Sequence, residues 1–181
     1  MAGQRIASGN AELISLRADN NQPTGYRFHQ ASIAEVDAAA QAAARAFSAY
    51  CQTSAEQRAD FLAPSPMNLD ALGEEFFAFA TQETALPLPR LIGERARTSG
   101  QMRLFAELLR SGRVHGARID CALPERTPLP RPDLRQYRVA IGPVAVFGAS
   151  NFPLAFSTAG GDTAAALAPV APWCSRHIVA I

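Results

Sequence analysis

Apolar residues recur at helical spacing from Ser32 onward, after a polar N-terminal stretch. Ser32 and Glu35 form a capping-box pattern, in which each side chain can satisfy a backbone N–H of the first helical turn. Apolar positions then follow at steps of three and four, which predicts a helix to about Tyr50. The face expected to be buried consists of Ile33, Val36, Ala40, Ala43 and Phe47.

A second capping box begins at Ser54 and predicts a helix that buries Phe61 and Leu62. Two prolines, Pro64 and Pro66, then stand where the pattern requires a helix interior, at a cost of about 3 kcal/mol each. We therefore predict a local break at residues 63–67. The apolar stripe resumes with Leu69, Leu72, Phe76 and Phe79.

A long helix is predicted from about Arg90 to Arg110, after two prolines end the preceding one. Gly112 stands just past its end, where a C′ glycine terminates many helices. Its expected apolar contacts are Leu91, Ile92, Phe105, Leu108 and Leu109.

Short extended segments dominate the next part of the chain. Residues 117–120 form a predicted strand, a proline-rich connector follows at residues 124–132, and residues 134–141 alternate loosely between apolar and polar. Val144 to Phe147 is a continuous apolar run, typical of a parallel strand that is covered on both faces.

A further helix is predicted after this strand, with Pro153 in its first turn. Gly160 and Gly161 fall in the middle of this helix, which suggests a backbone packed closely on the neighbouring sheet. Its periodic positions are Phe152, Phe156, Ala159, Thr163 and Leu167.

The first 30 residues are polar and contain turn-forming residues at positions 20–25, so we expect an arm or a short hairpin there. A length of 181 residues suits one ordinary domain. The net charge of +1 gives no electrostatic argument for nucleic-acid binding. The sequence contains no run of about 20 apolar residues, as a membrane helix needs, and no apolar signal core, so a cytoplasmic location is expected.

The cysteines and histidines show no spacing that suggests a site. Cys51, Cys121 and Cys174 lie far apart and predict neither a disulfide framework nor a metal site. The three histidines have no partner pattern that indicates a catalytic role. No metal is predicted. The histidines are His29, His115 and His177.

The polar turn after Phe147 is the strongest candidate for a site. Gly148, Ala149 and Ser150 leave space at the carboxyl end of the strand, where α/β sheets bind their ligands. Asn151 follows with an amide that can donate to an oxygen. Asn is also among the best N-caps, so a purely structural role for Asn151 stays open.

The run GPVAVFGASNFPLAFS at residues 142–157, with AGGDTA at residues 159–164, resembles the signature of the aldehyde dehydrogenase superfamily. It is most similar to the NADP-dependent branch that oxidises 2,5-dioxopentanoate, also called α-ketoglutaric semialdehyde. The resemblance implies an α/β fold: the N-terminal portion of a dinucleotide-binding domain, with helices followed by the first strands of a Rossmann-like sheet, truncated.

The same resemblance implies roles for particular residues. Asn151 would donate to the oxyanion that forms when a cysteine thiolate attacks the aldehyde. The cofactor, NADP or NAD, would lie against the segment Phe147, Gly148, Ala149 and Ser150. Residues 94–101 also match the family, so one arginine there, Arg95 or Arg97, is expected to bind the substrate carboxylate. A solvated helix face is the alternative explanation for these arginines.

The resemblance divides the chain into an N-terminal arm at 1–30, a partial NAD(P)-binding domain at 31–168 and a tail at 169–181. The domain comprises a helical part at 31–112, strands and an oligomerisation segment at 113–141, and a strand-turn-helix at 142–168. From Pro169 the resemblance stops. One set of synonymous codons, read one nucleotide out of register, would restore the family text there, so the tail is interpreted as aberrant.

The family's nucleophilic cysteine and glutamate base lie in motifs that these 181 residues do not contain. Three interpretations follow. The chain derives from a semialdehyde dehydrogenase that forms homo-oligomers when intact; it is an inactive remnant that binds at most a dinucleotide or an intact homologue; or, without the resemblance, it is an unrelated small α/β binding domain. On the first two, this chain alone is expected to be inactive.

Overall fold

The computed structural model describes residue 6, residues 8–169 and the backbone of residues 173–176. The chain forms α-helices and short strands in the following order: β1 Glu12–Leu16, β2 Pro23–His29, α1 Ile33–Tyr50, α2 Ala55–Leu62, α3 Pro64–Asp70, α4 Glu74–Thr84, α5 Leu88–Arg110, a 3-10 turn Arg113–His115, β3 Arg118–Asp120, β4 Leu134–Gln136, β5 Val144–Phe147, α6 Gly161–Leu167 and β6 Trp173–Arg176.

The N-terminal stretch forms the antiparallel hairpin β1–β2. The hairpin contacts α4 through its turn, where the N–H of Ala18 donates to the carbonyl of Gln82 over 2.8 Å. The Tyr26 ring also meets the edge of Phe79, with the ring centroids 4.7 Å apart. A short hairpin is therefore present where the sequence predicted an arm or a hairpin.

Helix α1 has the predicted capping box. The Ser32 hydroxyl accepts from the N–H of Glu35 over 3.2 Å, and the Ser32 N–H donates to the Glu35 carboxylate over 2.7 Å. The predicted buried face is wrong for the first half of the helix, where Ile33 is 90% exposed and Val36 and Ala40 are also exposed. The periodicity of a sequence identifies the apolar face of a helix but does not show which element packs against that face. In the described part of the chain, the main neighbour of α1 is the backbone of β6.

Helix α2 also begins with its predicted capping box, formed by Ser54 and Gln57. Leu62 is buried as expected, but Phe61 is 60% exposed. Successive residues are about 100° apart around a helix, so Phe61 turns outward when Leu62 faces the core. The ring of Phe61 instead meets the edge of Tyr50 at 6.5 Å.

The predicted break at residues 63–67 is reduced to the single residue Ala63. Ala63 keeps right-handed helical angles, with φ −61° and ψ −35°, and Pro64 is the first residue of α3. A proline in the first turn removes no hydrogen bond that the helix would otherwise make. A second interruption, at residues 71–73, separates α3 from α4.

Helix α5 spans 23 residues and is the element on which α2, α3, α4 and α6 pack. It begins two residues before the predicted start and ends as predicted, with Gly112 in the left-handed region at φ 69°. Leu91 and Leu109 are buried as expected, whereas Ile92 is exposed. Two apolar clusters flank it: Ala59, Leu62, Ala106, Leu109, Leu167 and Ala168 near its end, and Phe77, Ala80, Leu91 and Leu154 near its start.

The strands form three two-stranded sheets in the described part of the chain. Strands β3 and β4 are antiparallel, and β4 ends at Gln136, so the predicted strand at 134–141 is shorter than expected. Strand β5 pairs in parallel with β6. The expectation that both faces of β5 are covered is wrong, because Val146 is buried but Phe147 is 54% exposed.

The helix predicted to start at Pro153 is not formed there. Residues 150–160 are a series of turns, and α6 begins only at Gly161. One helical hydrogen bond is present, from the N–H of Phe156 to the carbonyl of Phe152 over 3.0 Å. The N–H groups of the two preceding residues, Leu154 and Ala155, donate to a side chain of α5 instead.

Arg58, on α2, donates a hydrogen bond to the C-terminal end of α6. It is buried, and its Nε donates to the carbonyl of Ala168 over 3.2 Å while a second nitrogen donates to Thr53 over 2.6 Å. Burial lowers the pKa of this guanidinium. Tyr50 adds a hydrogen bond from its hydroxyl to the carbonyl of Leu167 over 3.0 Å.

The interpretation of residues 169–181 as an aberrant tail concerns residues that, apart from Pro169 and the backbone of β6, lie outside the described ranges. Within the described ranges, no helix is long and apolar enough to cross a membrane.

Candidate functional site

The candidate site is the loop that leaves the carboxyl end of β5. Val146 anchors the strand in the interior, and Phe147, Ala149 and Ser150 then emerge on the surface. Gly148 between them is half-buried, and an added Cβ would lie 3.2 Å from the carbonyl oxygen of Phe156. The predicted cofactor segment is therefore an exposed backbone with small side chains next to one exposed ring.

Residues 149–156 fold back on themselves as a closed turn. The N–H of Ala149 donates to the carbonyl of Phe156 over 3.0 Å, which joins the two ends of the turn. The rings of Phe152 and Phe156 meet edge to face at 5.4 Å. These contacts fix the loop without a helix.

Asn151 lies near the start of this turn and is exposed. Because no helix begins there, Asn151 is not the N-cap of a helix. Its backbone carbonyl is 3.5 Å from a guanidinium nitrogen of Arg90.

Arg90 and Glu94 hold the turn from α5, a role that the sequence did not predict for either residue. Glu94 is 3% exposed, and its Oε1 accepts from Arg90 Nε over 3.0 Å. Its Oε2 accepts from the N–H groups of Leu154 and Ala155 over 3.1 and 3.3 Å. The sequence did contain one signal for this ion pair, since the two opposite charges stand four residues apart on a predicted helix. Such pairs are common on solvated helix surfaces, so the spacing alone does not indicate that this pair holds a loop.

The two arginines predicted to bind substrate have different surroundings. Arg95 donates from one nitrogen to the carbonyls of Asp70 and Leu72, over 3.2 and 2.8 Å, and its guanidinium lies 5.0 Å from the Phe77 ring. It therefore ties α5 to the turn between α3 and α4. Arg97 is exposed, and its guanidinium lies 5.6 Å from the ring of Phe156 in the candidate loop.

Asp70, beside Arg95, is held by two other groups of α5. Ser99 donates from its hydroxyl to one carboxylate oxygen over 2.6 Å, and Arg103 forms an ion pair with the other. The hydrogen bond from Ser99, and then that from Arg103, lowers the pKa of Asp70. This network is structural, since it joins α3 to α5.

Two cavities adjoin the loop. The smaller, of about 130 Å³, lies between α5 and α6 and is bordered by Arg97, Gln101, Phe156 and Asp162. The larger, of about 880 Å³, is bordered by Phe105 of α5, Phe147 of β5 and the apolar residues Val139 and Ile141. Two charged side chains of opposite sign, Arg97 and Asp162, thus border the small cavity, and apolar groups border much of the large one.

The described cysteines lie on other elements. Cys51 caps the end of α1, where its thiol donates to the carbonyl of Ser48 over 3.3 Å, and Cys121 is exposed after β3. No group of three or more His, Cys, Asp or Glu side chains that could hold a metal ion occurs among the described residues.

Residues 7–169 match the model of the aldehyde dehydrogenase family. The chain is 61% identical over 166 residues to an alpha-ketoglutaric semialdehyde dehydrogenase of Acinetobacter baylyi, covering 92% of this chain and 32% of that protein. It is 54% identical over 145 residues to alpha-ketoglutaric semialdehyde dehydrogenase 2 of Azospirillum brasilense, covering 80% of this chain and 28% of that protein. The chain thus spans about a third of the length of these relatives.

Solved structures show the same fold. A NAD-dependent benzaldehyde dehydrogenase from Corynebacterium glutamicum superimposes with a TM-score of 0.78 at 26% identity, over 98% of this chain and 36% of that one. Aldehyde dehydrogenase 21 from Physcomitrella patens superimposes with a TM-score of 0.83 at 24% identity, over 97% of this chain and 35% of that one. The interpretation as an unrelated small binding domain is therefore wrong.

Proposed function

Since the chain belongs to the aldehyde dehydrogenase family, we propose that it forms part of an NADP-dependent enzyme that oxidises α-ketoglutaric semialdehyde to the acid. The identity of 61% to a relative of that name supports this substrate. The proposal concerns the whole protein, because the segment spans about a third of such relatives.

Asn151 is the catalytic residue in this proposal, since its side-chain amide would donate to the oxygen of the reacting aldehyde as negative charge develops there. The observation that carries the proposal is its position: an exposed residue four positions beyond the end of the parallel strand β5, in a turn whose ends are joined by a backbone hydrogen bond. A fixed donor of this kind stabilises the transition state more than the ground state.

NADP, or NAD, would lie against Phe147, Gly148, Ala149 and Ser150 and would accept the hydride of the oxidation. The chain's own residues fit such a group. Ala149 and Ser150 are exposed, and the side chains that follow Phe147 in this segment are small. A planar ring could therefore approach the backbone closely.

The substrate carries a carboxylate at the end remote from its aldehyde, and an arginine suits such a group because it can donate two parallel hydrogen bonds. Of the two arginines predicted for this role, Arg97 is the better candidate. Arg95 already donates to two backbone carbonyls, whereas Arg97 is exposed beside Phe156 and borders the small cavity.

Neither described cysteine is the nucleophile in this proposal, since Cys51 ends α1 and Cys121 follows β3. This favours a second candidate for the 181 residues alone: an inactive chain that binds at most a dinucleotide or an intact homologue. The cytoplasmic location and the homo-oligomer remain predictions.

The test places residues 7–169 in the Acinetobacter baylyi relative in exchange for its matching segment. We expect the chimera to reduce NADP in the presence of the semialdehyde. Asn151→Ala should lower kcat by about 10²- to 10³-fold with little change in KM, because the lost donor acts mainly in the transition state. NADPH absorbance measures both constants.

Asn68→Ala is the matched control, since Asn68 is an exposed amide on α3 away from the loop, and it should leave both constants unchanged. A folded chimera without activity would contradict the proposed reaction. An Asn151→Ala chimera with wild-type kcat would contradict the role of the amide. Calorimetry of the 181-residue chain with NADP and with NAD tests the second candidate.

A further inference from the structure

Arg90 and Glu94 lie one turn apart on α5 and face the candidate loop. The carboxylate of Glu94 is buried, yet both of its oxygens are bonded: Oε1 to Arg90, and Oε2 to the N–H groups of Leu154 and Ala155. A buried carboxylate costs free energy unless it is paired and hydrogen-bonded, and this one is both.

The loop needs such an acceptor. Residues 150–160 form turns, so the N–H groups of Leu154 and Ala155 have no helical carbonyl as partner and donate to a side chain instead. Buried backbone N–H groups require a partner, and Glu94 provides one oxygen for both. The charged acceptor also makes these hydrogen bonds stronger than a neutral one would.

Arg90 holds the other end of the same segment. Its guanidinium lies 4.6 Å from the centroid of the Phe152 ring, within the range of a cation–π contact. Another of its nitrogens is 3.5 Å from the carbonyl oxygen of Asn151. The ion pair therefore contacts the loop at Asn151, at Phe152 and at the two N–H groups that follow.

We propose that Glu94, oriented by Arg90, is a positioning residue that fixes residues 151–155 so that the Asn151 amide is held ready for the developing oxyanion. The inference rests on the proposed function, to which it adds a residue on a different element. Small displacements of a catalytic donor cost large factors in rate, so an anchor three residues beyond the donor acts on kcat.

The structural part is tested on the ¹⁵N-labelled 181-residue chain by NMR. Glu94→Gln keeps the size of the side chain but replaces the charge, and Glu107→Gln is the control because Glu107 is exposed on the same helix. We expect Glu94→Gln to speed amide exchange of Leu154 and Ala155 at least tenfold and to shift the Asn151 side-chain signals. Glu107→Gln should do neither, and Thr98 and Leu109 should keep their protection in both variants.

The kinetic part uses the chimera described above. Glu94→Gln should lower kcat by about 10-fold or more with KM changed less than threefold, and Glu94→Asp should recover part of the loss. If Glu94 acts through Asn151, the double variant Glu94→Gln/Asn151→Ala should be no slower than Asn151→Ala alone, because residues that act as a unit are not additive.

The proposal that Glu94 anchors the loop would be contradicted if Glu94→Gln left the amide exchange rates of Leu154 and Ala155 unchanged. Loss of protection throughout α5 would contradict it as well. A fully additive double variant would overturn its action through Asn151. If Asn151→Ala alone had no effect while the exchange changed as expected, the proposed function would fail and the positioning role with it, but the structural anchor would stand.

Discussion

Gly160 shows how closely the candidate loop packs on its own backbone. A Cβ at this position would lie 2.5 Å from the carbonyl oxygen of Ala155 and 2.8 Å from that of Ser157. Both obstacles are backbone atoms, so they cannot rotate away as a side chain could. The glycine is required by the turn that leads into α6, and not by close packing on a sheet as the sequence suggested.

Gly160→Ala should therefore lower the free energy of unfolding by about 1–3 kcal/mol, the usual cost of inserting a methyl group into a filled space. Gly161→Ala is the matched control, because its nearest neighbour would be 3.8 Å away and the position begins α6. Alanine there should be neutral or stabilise by up to about 1 kcal/mol. Urea titration of both variants measures the difference, and equal shifts would contradict the steric explanation.

At the scale of residues, the sequence led to Asn151 but not to its support. Glycine, alanine and serine after an apolar run are a local signal, so the exposed segment at the end of β5 could be predicted. The bonds from Glu94 to Leu154 and Ala155 join residues about 60 positions apart, and no local pattern encodes them. The helix predicted with Pro153 in its first turn is likewise absent, since residues 150–160 form turns.

At the scale of elements, the helix starts followed most directly from the sequence. A capping box is complete within four residues, so Ser32 and Ser54 predicted the starts of α1 and α2 without tertiary information. What each helix buries depends on its neighbours. The exposure of Ile33 and Phe61 is therefore the kind of outcome that periodicity alone cannot predict.

The two capping boxes differ in charge, which gives them different responses to pH. The Glu35 carboxylate is bonded by Ser8 as well as Ser32. A hydrogen bond from the Ser8 side chain, followed by the backbone N–H groups of Ser32 and Ser8, lowers the pKa of Glu35 from its ordinary 4.5 to about 2. Gln57, in the same position of the second box, cannot titrate.

A lowered pKa in the folded state contributes stability that is present above the unfolded value and is lost as the pH falls through the folded value. The free energy of unfolding should therefore decrease between about pH 4.5 and pH 2 through Glu35. Glu35→Gln should flatten this part of the profile, and Gln57→Glu should steepen it. Thermal unfolding followed by circular dichroism at several pH values is the measurement, and an unchanged profile in Glu35→Gln would contradict the assignment.

At the scale of the whole molecule, α5 is the element that joins the two apolar clusters. The cluster around Leu91 includes Leu154 of the candidate loop, and the cluster around Leu109 includes the end of α6. Some exposed apolar residues lie on α5 itself, such as Ile92 and Leu104, and Ile141, which is 95% exposed, borders the large cavity.

If the described part of the chain unfolds as one unit, both clusters should contribute to the same transition. Leu91→Ala and Leu109→Ala each remove a fully buried side chain and should cost about 2–5 kcal/mol. The two residues are about 27 Å apart along the helix axis, 18 steps of 1.5 Å, and share no cluster, so their effects should add within about 0.5 kcal/mol. Denaturant unfolding of both single variants and the double variant, followed by near-UV and by far-UV circular dichroism, tests this. Coincident transitions with additive shifts are expected. Separate transitions for the two probes would show instead that the half of α5 that carries Glu94 and the loop folds independently of the half beneath α6.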